Sequence, residues 1–126
     1  MAFGDTGGAV TELIITCTTP SSGDVDIAKG DVVALSSDYT VSHPADAEAV
    51  IFGQAMAAAA DNDMAIPVKV RGICIFDYTG TAPTVDGAQG VLASATSGKV
   101  KAPASGNCIG VNVKADTANT QVHVLL

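Results

Sequence analysis

The chain has 126 residues, and a hydrophobic fraction of 48% drawn from Ala, Val, Ile and Leu, with aromatics at 4% and no Trp. That length fits one domain able to bury roughly two-thirds of its unfolded surface without a metal or disulfide framework. Six basic against 13 acidic residues leave a net charge of −7, which argues against nucleic acid and anionic membrane surfaces as partners.

Met1–Gly8 ("MAFGDTGG") is small and nearly uncharged, with Phe3 as its one aromatic. It reads either as a frayed terminus or as a flexible arm that orders against a partner. In the second case Ala2, Phe3, Gly4, Asp5 and Thr6 form the partner-binding segment, with Phe3 as anchor. No basic start followed by an apolar core marks a signal peptide, and no apolar run approaches a membrane helix.

Residues 9–126 read as a single β domain. Val10–Thr18 is the first expected strand, with Leu13, Ile15 and Cys17 sharing one face; the Pro/Ser/Gly run from Thr19 to Gly23 ends it. Asp24, Asp26 and Asp31 then surround Lys29 without the spacing of a calcium loop, and fit a solvated turn. Val32–Leu35 is a short strand, and a minor one is expected over Tyr39–Val41. His43 precedes Pro44, and its sequence neighbours Asp46 and Glu48 form no evident dyad.

Ala49–Met56 reads as a strand. The following Ala-rich run is too short for a stable helix and is expected to be a loop. Ile66–Tyr78 carries the clearest alternation: Ile66, Val68 and Val70 against Pro67, Lys69 and Arg71. Beyond Gly72 both faces turn apolar, so a bulge or bend is expected there. After a turn-rich loop, Val91–Ala93 and the "KVKA" strand lead to Cys108–Lys114. Ile109, Val111 and Val113 are expected to share its apolar face. A polar turn and the strand "VHVLL" follow, with His123 opposite Val122 and Val124.

The two halves echo one another. Gly30–Val41 matches Gln89–Val100 in pattern, and Val50–Val70 matches Cys108–Leu126, giving pseudo-repeat halves of about 30–70 and 89–126. Each half carries one apolar face, and the two are expected to bury one another. The fold class expected is all-β: a small barrel or sandwich of short antiparallel strands with a flexible N-terminal arm.

Catalytic patterns are sparse. The two His are far apart, and HExxH, GxSxG, GxGxxG, phosphate-loop and CxxC patterns are missing. No metal, cofactor or catalytic residue is expected, and the chain is read as a non-enzyme. Cys17, Cys74 and Cys108 are an odd, widely spaced set that reads as small buried hydrophobes in a protein made in reducing cytoplasm.

The segments "KGDVVALSSDYTV" (29–41), "VIFGQAM" (50–56), "MAIPVKVRGICIF" (64–76) and the ending from Val91 to Leu126 resemble the tailed-bacteriophage capsid decoration proteins. These are also called cement or head-stabilising proteins. The likeness covers roughly residues 25–126 and is a pattern of small apolar residues and Gly rather than an invariant motif. "IGVNV" stands where that family often has an Ala-rich strand, and the Tyr39–Ala49 loop is long. The resemblance implies a structural protein of the virion, made in the host cytoplasm. It would bind the outer surface of an icosahedral capsid, hold neighbouring major capsid protein subunits together, and often act as a homotrimer. The alternatives are another phage structural β domain, from a tail tube or spike, or a glycan-binding β-sandwich.

Overall fold

A computed structural model describes residues 12–104 and 107–126. The described chain is all-β, with ten strands: β1 (Leu13–Thr18), β2 (Val32–Ser37), β3 (Thr40–Ser42), β4 (Gly53–Ala55) and β5 (Ala65–Arg71), then β6 (Ile73–Asp77), β7 (Leu92–Ala93), β8 (Val100–Lys101), β9 (Val111–Asp116) and β10 (Gln121–Leu125). The first five close into a barrel in the order β1-β3-β2-β4-β5. The rest form a three-stranded sheet, β6-β10-β9, and the hairpin β7-β8.

The second set repeats the pairing of the first. β1 runs antiparallel to β5 and meets β3 in parallel at Thr18 and Thr40. Correspondingly, β6 runs antiparallel to β10, and Tyr78, next to its end, meets Val100 in parallel. β2 pairs with β3 and β4, as β7 pairs with β8 and as Val91 bridges Ile109 beside β9. β4–β5 and β9–β10 complete the match. The second half thus closes in the same strand order, with the two-pair β2–β4 ladder reduced to the single bridge Val91–Ile109, and the echo extends one strand before Gly30.

The cores differ from the sequence expectation of two faces buried against each other. Cys17, Val33, Val41, Ile66 and Val68 lead one cluster inside the first barrel. Cys74, Phe76, Val91, Val122 and Val124 lead another inside the second half, joined by Val32 and Ile51. Successive strand residues point to opposite faces, so Val32 and Val33 on β2 serve different cores. Each half closes over its own apolar face because its five strands curl round it.

Side chains join the halves. Gln54, buried on β4, donates through Nε2 to Gly30 O at 3.1 Å and to Ile75 O of β6 at 2.7 Å. Lys69 Nζ donates to Ile73 O at 3.0 Å and pairs with Glu12 at 2.7 Å. These side-chain donors occupy carbonyls on the β6 side away from β10. Gly72, between β5 and β6, exchanges hydrogen bonds with Leu126 and has a φ of 112°. It therefore turns one long apolar run into two strands of different sheets, as the change of pattern there implied.

Several expected boundaries shift. Only Gly53–Ala55 of the Ala49–Met56 run is strand. A Cβ at Gly53 would collide with Lys69 O, so only glycine allows β4 this close to β5. The face expected of Cys108–Lys114 is inverted: Asn112 is buried at 1% exposure, whereas Val113 is 44% exposed. The cause is Gly110, whose φ of 74° breaks the alternation before β9 begins, and a bulge opposite His123 and Val124. Asn112 Nδ2 donates to Thr84 O and Gly90 O, the second contact resembling that of Gln54 with Gly30. The Ala-rich run is non-helical, as expected, with Ala59 bridging Ile27.

Replacing Gln54 by Leu strands Gly30 O and Ile75 O without their shared donor. The expected cost is about 1–3 kcal/mol, read as a lower urea midpoint with an unchanged m-value.

Candidate binding surfaces

Ala2, Phe3, Gly4, Asp5 and Thr6 lie outside the described residues, as do Val10 and Thr11 of the expected first strand. The surfaces of the described chain come from elsewhere.

The first lies at the seam of the first barrel. β1 and β3 meet only at Thr18 and Thr40, so β1 diverges from the β2–β3 hairpin. Between them opens a cleft of roughly 640 Å³ lined by Ile15, Cys17, Leu35, Ser36, Ser37, Asp38, Tyr39 and Phe52. Cys17 is buried, Ile15 and Phe52 are half-buried against the core, and Leu35 is 51% exposed. Tyr39 is 71% exposed and sits at the hairpin turn with a φ of 49°, a left-handed conformation uncommon for a bulky residue. Leu35 is in phase with Val33 on β2, so the barrel's inward face runs past its closed part. That phase was the available sequence signal for the cleft.

The second surface is the outer face of β6-β10-β9. Register places Ile73, Leu125 and Val111 in one row, Ile75, His123 and Lys114 in the next, and Asp77, Gln121 and Asp116 in a third. The face therefore grades from apolar to acidic along the strands. Ile75, Val113 and Leu125 are each more than two-fifths exposed. His123 is half-buried opposite the inward-facing Val122 and Val124, as its parity predicts.

A mixed groove of roughly 560 Å³ lies beside β7–β8, where Thr79, Ser94 and Lys101 supply polar atoms. Glu48 ties its rim: its carboxylate accepts from Ala104 N at 2.6 Å and lies 3.6 Å from Lys101 Nζ. The Ala104 N–H, aided by Lys101, holds that carboxyl below its usual range.

His43 has a carboxylate partner that sequence proximity did not indicate. Its Nε2 lies 2.7 Å from Asp31 Oδ2, which also accepts from Ala28 N. The β2–β3 hairpin brings these residues together. Among the described residues no nucleophile is hydrogen-bonded to this pair, and no group of three or more His, Cys, Asp or Glu could hold a metal. Asp24 and Asp26 are both exposed, near His43, rather than gathered round a common point.

The three cysteines are free; Cys17 and Cys74 are buried and Cys108 is half-buried. Cys108 Sγ accepts from Gly90 N at 3.1 Å. Burial pushes the Cys74 thiol up to about 11, and nearby Glu12 acts in the same direction while Lys69 opposes it. Comparison of the chain with protein-family models and with curated proteins finds no match.

The folded state prefers the protonated Cys74 thiol more strongly than the unfolded chain does. Its contribution is therefore intact below pH 9.0 and is lost as pH rises towards about 11. The expected observation is a fall in chemical stability across that window, smaller in Cys74→Ala. At pH 8 a thiol reagent should label Cys74 only after unfolding.

Proposed function

We propose that this protein is a structural component of a virion that binds the outer surface of an icosahedral phage capsid and cements neighbouring capsid subunits. The observation that carries this reading is the presence of two separate apolar surfaces, one on each half of a duplicated β fold. The seam cleft, with Leu35 and Tyr39 exposed, belongs to the first half, and the outer face with Ile75, Val113 and Leu125 to the second. One chain thus offers two attachment points, which is what a clamp between two subunits requires.

The resemblance of residues 25–126 to capsid decoration proteins supports the same reading. So does the physics of a lattice. Two modest contacts made by one chain gain through effective concentration, and repetition over the shell multiplies their resistance to internal pressure. A net charge of −7 keeps free copies apart and suits the outer surface rather than the DNA side. The proposed partner is the major capsid protein, and the proposed assembly on the shell is a trimer.

Purified full-length protein mixed with expanded capsids that lack it is expected to co-sediment with them and to raise their temperature of disruption. Protein remaining in the supernatant at saturating capsid concentration would refute the reading. Electron microscopy that placed it on tails would favour a tail component instead.

A further inference from the structure

The seam of the first barrel exposes main chain as well as side chains. Thr18 N–H donates outward to Tyr39 O at 2.8 Å. Ile14 and Thr16 have the same parity on β1, so their N–H and C=O groups point the same way, away from β5. The register with β5 agrees. Ile15 lies opposite Val68 and Cys17 opposite Ile66, while Thr16 lies opposite Pro67, which has no N–H to exchange. Among the described residues no backbone group bonds Ile14 or Thr16 on the seam side.

This open strand edge borders the apolar cleft. A strand added beside β1 would bond the main chain of Ile14 and Thr16 and place alternate side chains over Ile15, Cys17, Leu35 and Phe52. Among the described residues Asp38 is the one charged residue lining the cleft, so a Lys or Arg on the incoming segment would be matched there. We infer that the seam is a β-augmentation site that receives an extended segment of the capsid subunit, apolar at alternate positions and carrying a basic residue. This rests on the shell-binding reading and assigns it a contact: the shell supplies a strand that completes the closure β1 and β3 leave at one residue pair.

The test is hydrogen exchange on full-length protein, free and bound to expanded capsids, with co-sedimentation titrations of three variants. Capsid binding is expected to slow exchange in peptides covering residues 12–18 and 35–39. Thr16→Pro removes a seam-facing donor without taking a hydrogen bond from β5, and Leu35→Asp charges the cleft. Each is expected to weaken capsid binding about tenfold, the effect of losing one good contact, while Val85→Asp, at an exposed loop position, leaves it unchanged.

Wild-type binding with unaltered exchange at 12–18 overturns the seam assignment and leaves the shell reading standing. So does protection of those amides in the free protein that vanishes when Ala2–Gly8 is deleted, since the chain's own N-terminal segment would then fill the seam. Wild-type protein that fails to co-sediment removes the shell reading and this assignment with it. The exchange measurement keeps the inference falsifiable if Thr16→Pro does not fold.

Discussion

β2 lies between two cores, and the rest of the architecture follows from that position. Val32 and Val33 are neighbours with no exposed surface, yet one belongs to the cluster of the second half and the other to the first barrel. A strand buried on both faces cannot slip by one residue without moving each side chain into the opposite core. Gln54, paired across from Val32, fixes the same junction with directed bonds to Gly30 O and Ile75 O. Together they hold two similar five-stranded units in one molecule.

The two-core arrangement also shapes the surface. Each core is small and built mainly from Val, Ile, Ala and Cys, with Phe76 the largest fully buried side chain. Small curled sheets of this kind leave part of their apolar content outside. Here Leu35 and Tyr39 expose some of it at the seam, where β1 parts from the β2–β3 hairpin, and Ile75, Val113 and Leu125 expose more on the outer face of β6-β10-β9. The polar contacts are mostly spent on holding loops. Thr19, for example, is buried, donates to Asp61 O at 2.6 Å and accepts from Met64 N at 2.8 Å. Such a molecule is suited to binding by surface fit.

Strands with uninterrupted alternation were legible in the sequence. Ile66, Val68 and Val70 face the first core, and Val122 and Val124 face the second, in the parity their spacing indicates. Alternation failed at glycine. Gly110 adopts a positive φ and resets the phase, so Asn112 rather than Val113 points inward. The His43–Asp31 pair was hidden for another reason: a hairpin, not proximity in sequence, brings the two together. The seam was partly visible, because Leu35 continues the inward phase of Val33 into a polar turn.

By itself the amino-acid sequence determined the all-β class, the strand content of the best alternating segments and the presence of two related halves. These depend on local quantities: side-chain period, turn chemistry and breaks at Gly and Pro. Only the tertiary structure decided that each half encloses its own core, that β2 is shared between them, and that β1 and β3 meet at one residue pair. Those outcomes depend on how strands curl and register across long sequence separations, where twist and the close approach of backbones at Gly53 and Gly90 select among pairings that local patterns leave equivalent.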